Sequence, residues 1–122
     1  MTTIAGRLVL FVEDEALIRM SAVDCFNDGG GVVIEAEHSA AAILMALDHP
    51  EIDLLFTDVN MPGTMNGISL AEHLFALRPS IKIIVTSTLP LPRSVDHLKA
   101  HFLPKPYEAL SLCRISEGLL AA

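Results

Sequence analysis

Polar residues that could do chemistry follow four of the short apolar segments of this chain. They are, in chain order, the acidic pair Glu13 and Asp14, then Asp58, then Thr86, and finally Lys105. The carboxyl ends of parallel strands meet at one edge of a sheet, and ligands bind there. If the apolar segments are such strands, three acids, a hydroxyl group and an ammonium group lie close together.

Three carboxylates in one place need a cation, because like charges at short distance raise one another's pKa. One lysine does not balance them, so we expect a hard divalent ion, and oxygen ligands with few protein contacts suit Mg²⁺. A metal ion, a nucleophilic carboxylate, a hydroxyl group and an ammonium group together indicate a phosphoryl-transfer site. Each residue alone has an ordinary structural interpretation, such as an acidic helix N-terminus or a turn. The prediction therefore rests on their combination.

The elements that must position these residues alternate between short apolar strands and helices with apolar residues at helical spacing. Strands are predicted at 8–12, 32–35, 52–57, 81–85 and 102–103, and helices at 16–26, 40–47, from 68 up to Pro79, and 107–120. Ser39 and Asn66 are placed to cap two of the helices, and Pro106 suits the first turn of the last one.

Strands that are apolar on both faces and alternate with helices indicate a parallel sheet covered on both sides, with right-handed crossovers. Five strands favour a doubly wound α/β sandwich over a barrel. The 122 residues contain no internal repeat and no linker. We therefore expect one domain over residues 1–122, without an output domain.

Composition argues against several classes of protein. The formal net charge is −7 and Lys and Arg do not cluster, so no nucleic-acid partner is expected. Hydrophobic residues make up 52% of the chain, which suits a packed core. The apolar run at 8–12 is too short for a signal peptide or a membrane span, so a cytoplasmic protein without membrane contact is expected. Cys25 and Cys113 are expected to be reduced core residues rather than a disulfide or a metal pair.

Four motifs resemble those of the response regulator receiver domain family of two-component signalling. They are VEDE at 12–15, TDVNMPG at 57–63, VTS at 85–87 and LPKPY at 103–107. The resemblance covers nearly the whole chain. It implies a flavodoxin-like fold, with a five-stranded parallel sheet of order 2-1-3-4-5 and helices on both faces.

The resemblance also implies roles for the acidic residues. Asp58 would take a phosphoryl group from the phosphohistidine of a histidine kinase or a histidine phosphotransfer protein. Asp14 would bind Mg²⁺ directly, and Glu13 would act through a water molecule or from the second shell. Asp58 itself and the backbone carbonyl of Asn60 would complete the protein ligands of the metal.

The remaining site residues resemble the family's switch. Lys105 would pair with one phosphoryl oxygen, and the hydroxyl group of Thr86 would bind another. Phe102 stands where the family has an aromatic residue that turns inward when that hydroxyl moves. An alternative for Phe102 is a plain core residue. The Lys105-Pro106 peptide bond is expected to be cis, as in the family.

The chain departs from the family between Thr86 and Lys105, where it is about three residues shorter. Pro90 and Pro92 predict an extended segment at 88–92, which leaves room for at most a turn or two of helix around 94–101. The family's fourth helix is therefore expected to be short or irregular. The loop at 63–66 looks one residue longer than usual.

The main functional hypothesis is a phosphorylation switch whose output passes through another protein, which the sequence does not identify. An alternative is a protein-interaction module that keeps the fold but is independent of phosphate. A third hypothesis, a metal-dependent hydrolase of external phosphates, is disfavoured because no substrate-binding cap is predicted. The chain is thus expected to be a signalling switch rather than an enzyme.

Overall fold

The computed structural model describes residues 4–60 and 65–121. Within them the chain alternates between strands and helices, as predicted. The elements are β1 Leu8–Val12, α1 Ala16–Asp28, β2 Val32–Ala36, α2 Ser39–Asp48, β3 Leu54–Asp58, α3 Gly67–Leu77, β4 Lys82–Ser87, a 3₁₀ turn Asp96–Leu98, β5 His101–Pro104 and α4 Ala109–Ala121.

The strands form one parallel sheet in the order β2-β1-β3-β4-β5. The expected strand order is thereby confirmed. The sheet is covered on both faces because its central strands are apolar on both faces: every residue of β1 and of β3 is buried. No helix among the described residues is both long and apolar enough to cross a membrane.

Two clusters of buried side chains form the core, one on each face of the sheet. Phe11, Phe26 and Phe56 belong to the cluster that α1 and α4 cover. The rings of Phe11 and Phe56 are stacked at 4.3 Å between centroids. The other cluster, which α2 and α3 cover, contains aliphatic residues such as Leu55 and Leu70. Successive side chains of a strand point to opposite faces of the sheet, so neighbouring strand residues belong to different clusters.

Helix α3 begins immediately behind the carboxyl end of β3. The side chain of Asn66 accepts a hydrogen bond from the backbone N–H of Ser69 at 2.9 Å, which confirms the predicted cap. The backbone N–H of Gly67 donates to the carbonyl of Val59 at 2.9 Å. A Cβ atom at Gly67 would overlap the carbonyl oxygen of Asp58 and lie 2.9 Å from Thr57 Oγ1. Only glycine therefore allows the helix to approach β3 this closely.

The segment between β4 and β5 contains no α-helix. Its regular structure is the 3₁₀ turn Asp96–Leu98, which ends at Lys99 in the left-handed region with φ of 54°. This confirms the prediction that the fourth helix is short or irregular. The Lys105-Pro106 bond is cis, also as expected. The expectation of a longer loop at 63–66 lies partly outside the described residues.

Two predicted helix starts were wrong. The side chain of His38, not Ser39, caps α2 by accepting from the backbone N–H of Ala41. Ser39 instead donates to the carbonyl of Met65 at 2.9 Å. The last helix begins at Ala109 rather than at residue 107. The ring of Tyr107 packs edge-on against Phe56, which holds Tyr107 in the loop before the helix.

The prediction of reduced cysteines was also wrong for this structure. Cys25 on α1 and Cys113 on α4 form a disulfide across 88 residues of sequence, with Cα atoms 6.3 Å apart. Each cysteine lies within its own helix, as predicted. The pairing depends on how α1 packs against α4, and the periodicity of either helix alone does not contain that information.

Substituting Gly67 tests whether the close approach of α3 to β3 is required. We expect Gly67→Ala to destabilise the protein by about 3 kcal/mol, because its Cβ meets rigid backbone. The matched control is Gly118→Ala in α4, where a Cβ meets nothing within 4 Å. This control should stabilise the protein by about 0.5 to 1 kcal/mol. Urea unfolding measures both, and equal effects of the two substitutions would contradict the packing argument.

Candidate functional site

The carboxyl ends of four strands bring the predicted polar residues to one edge of the sheet. Glu13 follows the last residue of β1, Asp58 is the last residue of β3, and Lys105 follows β5. Thr86 lies in β4 in register with Asp58. The strand order therefore places the acids, the hydroxyl group and the ammonium group at the same edge of the sheet, as expected.

The ammonium group of Lys105 lies between two buried carboxylates. Its Nζ atom is 2.7 Å from Asp58 Oδ2 and 3.1 Å from Glu13 Oε2. The side chains of Lys105, Asp58 and Glu13 are exposed by only 8%, 7% and 0%. Coulomb attraction at such distances is strong where water is scarce. The lysine thus holds together two acids that would otherwise repel one another.

Burial and charge shift the pKa values of this group. Burial raises the pKa of Glu13, and the charge of Asp58 adds to this, although the hydrogen bond from Lys105 opposes both effects. Burial lowers the pKa of Lys105, but its hydrogen bonds to Asp58 and Glu13 outweigh that, so the pKa of Lys105 is raised overall. The lysine therefore stays a cation at neutral pH, and burial makes the Glu13 carboxyl harder to ionise than it is in water.

Three carboxylates are placed to hold a metal ion. Among the described residues, Glu13, Asp14 and Asp58 each offer one oxygen, and these oxygens lie within 4.8 Å of one another. Glu13 and Asp58 are buried and Asp14 is exposed. Glu13 Oε2 is buried and receives no hydrogen bond from the described residues, despite its nearness to the lysine. An all-oxygen donor set with one open side fits Mg²⁺.

Asn60 borders the acidic group through its backbone and its side chain. Its N–H donates to Asp58 Oδ1 at 3.1 Å, and its Nδ2 donates to Ser87 Oγ at 3.2 Å. These bonds fix the chain just after β3, where the backbone carbonyl of Asn60 was predicted to be a ligand. Residues 61–64, the next part of the motif, lie outside the described residues.

The two hydroxyl groups at the end of β4 differ in their bonding. Thr86 Oγ1 is buried and has no hydrogen-bond partner among the described residues. Ser87 Oγ accepts from Asn60 Nδ2 and from the N–H of Leu89 at 3.1 Å. Buried polar groups are nearly always satisfied. The hydrogen-bonding capacity of the buried Thr86 hydroxyl is therefore not used by the described residues.

Phe102 lies on β5 in register with Val85, three residues before Lys105. It is half-buried and packs against the core cluster on the α2 and α3 face. The ring thus takes part in the core.

Tyr107 is a site residue that the sequence reading did not single out. Its hydroxyl group is buried without a hydrogen-bond partner among the described residues. Burial raises its pKa, and the charges of Glu13, Asp58 and Glu15 raise it further, so the phenol stays protonated. Tyr107 and Lys105 line a cleft of about 270 Å³ in front of the site. Tyr107 is the last residue of the LPKPY motif at 103–107, and this position was the feature of the sequence that could have indicated it.

Comparison with known proteins assigns the family. A sequence model of the response regulator receiver domain matches residues 9–115. The chain belongs to this family. Its members are receiver domains of two-component signalling, and the resemblance of the four motifs is thereby confirmed.

The relatives occur in different protein contexts. The sensor kinase CckA of Brucella abortus is 33% identical over 117 residues, which cover 92% of this chain and 12% of that protein. The chemotaxis protein CheY of Thermotoga maritima is 29% identical over 107 residues, which cover 84% of this chain and 88% of that protein. The chain thus spans about an eighth of the one relative and most of the other.

Solved structures agree with the fold. The crystal structure of the receiver domain from the hybrid histidine kinase CckA superposes with a TM-score of 0.81 at 29% identity. The match covers 93% of this chain and 98% of that one. The architecture is therefore that of a receiver domain, including its strand order.

The raised pKa of Glu13 gives a pH prediction for the metal-free protein. The unfolded chain releases this proton near the ordinary value of 4.5, whereas the folded protein keeps it to higher pH. The free energy of unfolding should therefore fall as pH rises from about 4.5 through the folded pKa. We expect Glu13→Gln to reduce that fall, measured by urea unfolding in EDTA between pH 4 and pH 8.

The control for this pH series is Asp48→Asn, which removes an exposed carboxylate at the end of α2. It should keep the wild-type pH dependence. If Glu13→Gln and wild type lost stability in parallel over this range, burial of Glu13 would not be the cause.

Proposed function

We propose that this receiver takes a phosphoryl group onto Asp58 in the presence of Mg²⁺ and changes a protein-interaction surface in response. The observation that carries the proposal is the Asp58 carboxylate, held in a buried pocket 2.7 Å from Lys105 Nζ and beside two further acids. Thr86 lies in register with Asp58, and its buried hydroxyl group has no hydrogen-bond partner in the part of the chain that the structure describes.

Asp14, Asp58 and the backbone carbonyl of Asn60 are the proposed direct ligands of Mg²⁺, with Glu13 acting through water. The bound ion would neutralise negative charge on the carboxylates and on the phosphoryl oxygens. Glu13 Oε2 lacks a hydrogen bond from the described residues and is suited to accept one from a water molecule. The exposed position of Asp14 leaves the ion open to solvent and to an incoming phosphoryl group.

The proposed chemistry is an in-line transfer from phosphohistidine. A carboxylate oxygen of Asp58 attacks phosphorus, the phosphorus–nitrogen bond breaks, and the imidazole of the partner leaves. Lys105 stays protonated and pairs with a phosphoryl oxygen, and Thr86 donates its O–H to another. The protein contributes mainly position and opposite charge. Slow hydrolysis of the aspartyl phosphate is expected to return the resting state. Catalytic turnover of external phosphates as substrates is not expected.

The transfer supplies the energy for a switch. A phosphoryl group brings about 1.5 to 2 negative charges and three strong acceptors to one point. Thr86 and Lys105 interact better with it than with the resting site, so the population shifts toward the conformation that brings them close. Phe102 is the proposed aromatic residue that follows Thr86, since it lies on the adjacent strand.

The proposed partners are a histidine kinase or a histidine phosphotransfer protein, which supplies the phosphoryl group, and a downstream protein that reads the switch. A cytoplasmic location is proposed with this function. A phosphate-independent module would not need Asp14, Asp58 and Lys105 together, and we do not favour it.

The decisive experiment is the intact mass of the protein after incubation with acetyl phosphate, with and without Mg²⁺. We expect a single phosphoryl adduct that requires Mg²⁺ and is absent in Asp58→Asn. The matched control is Asp48→Asn, an exposed aspartate at the end of α2, which should be modified like the wild type. An adduct that persisted in Asp58→Asn would place the modification elsewhere and sink the assignment.

A further inference from the structure

The segment between β4 and β5, where the family has its fourth helix, packs against α3 and forms hydrogen bonds with it. We call residues 88–100, between β4 and β5, the strap. Its inner side is buried through Val95 and Leu98, which are 5% and 2% exposed and belong to the core cluster under α3. Its outer side carries Arg93 and His97, which are both partly exposed.

Both outer side chains converge on one carboxylate of α3. Arg93 donates to Glu72 with both of its terminal nitrogens, at 2.6 and 2.7 Å. His97 Nε2 lies 2.8 Å from Glu72 Oε2. Arg93 also donates to Ser69 Oγ at 3.3 Å, one turn earlier on the same helix. Glu72 is thus the common partner of two residues of the strap.

This arrangement is more specific than an isolated surface ion pair. A guanidinium that meets a carboxylate through two parallel hydrogen bonds fixes orientation as well as distance. The hydrogen bonds from Arg93 and then from His97 lower the pKa of Glu72 to about 2, so it remains ionised at neutral pH. A lysine at position 93 could not reproduce the double contact.

The two ends of the strap are joined to the proposed switch residues. It leaves β4 directly after Thr86 and Ser87, and Ser87 Oγ accepts from the N–H of Leu89 at the start of the strap. It enters β5 just before Phe102. Thr86 and Phe102 are therefore each two peptide units from the strap.

We propose that Glu72 acts as a latch that holds the strap against α3 and thereby favours the resting conformation of the receiver. The latch contacts occur in a structure in which the Thr86 hydroxyl has no partner among the described residues, and they favour that state if the strap leaves α3 when the receiver is activated. Movement of Thr86 toward a phosphoryl group pulls on the strap and works against the latch. The second half of this inference rests on the proposed function, whereas the first half does not.

The first test is amide hydrogen exchange of the unphosphorylated protein. In Glu72→Gln, the amides of Asp96, Leu98 and Lys99 should exchange about fivefold faster than in wild type, because the paired charge is lost. Arg93→Lys should lie between the two. The matched control is Glu51→Gln, which removes an exposed carboxylate paired with His49 away from the strap. Wild-type exchange in Glu72→Gln, with α1 amides unchanged in all variants, would overturn the latch.

The second test is the same exchange in wild type and Glu72→Gln after addition of Mg²⁺ and beryllium trifluoride, a mimic of the phosphoryl group. The mimic should speed exchange of the strap in wild type, and half of that effect should occur at a lower mimic concentration in Glu72→Gln. Equal concentrations for the two proteins would overturn the coupling. If the mimic did not bind wild type at all, the proposed function would fail while the first test still decided the latch.

Discussion

One buried cation between two buried carboxylates governs this site. Lys105 contacts Asp58 and Glu13 at the carboxyl ends of three strands. All three side chains are buried, so water does little to solvate their charges. Breaking such a group by removing one partner is costly, since the remaining charge stays buried. The sheet must therefore deliver all three side chains to one point. Three carboxylates share this edge of the sheet with one lysine, and burial raises the pKa of Glu13.

The rest of the fold serves that juxtaposition. A parallel sheet places the ends of β1, β3, β4 and β5 at one edge, and two apolar layers hold it rigid. Gly67 lets α3 begin against the backbone of Asp58. The strap then runs from the proposed switch hydroxyl to the proposed switch aromatic and is tied to α3 on the way. The site and the strap are thus continuous in the chain.

The sequence was informative where chemistry and topology coincide. Polar residues placed after apolar strands predicted the meeting of Glu13, Asp58 and Lys105, because the ends of parallel strands must share an edge. Prolines predicted that the fourth helix is short or irregular, because they restrict the backbone locally. The resemblance to receivers supplied the strand order and the roles of single residues.

The features that the sequence did not reveal depend on contacts between distant elements. The Cys25–Cys113 disulfide requires the packing of α1 on α4, and the convergence of Arg93 and His97 on Glu72 requires the path of the strap. Within its own segment, each of these residues can be interpreted as an ordinary surface residue or core residue. Helix starts were predicted less well than helix positions, since His38 and Ser39 can both cap. His38 caps α2, while the hydroxyl group of Ser39 donates to the carbonyl of Met65, which is also a long-range contact.

The most direct test of the central claim is a crystal structure of the protein grown with Mg²⁺ and beryllium trifluoride. The account predicts the mimic on the carboxylate of Asp58, with fluorine atoms near Lys105 Nζ and Thr86 Oγ1. The metal should lie against Asp14 and Asp58. A structure with the mimic absent from Asp58 and the metal bound elsewhere would contradict the claim that this acidic pocket is a phosphoryl-acceptor site.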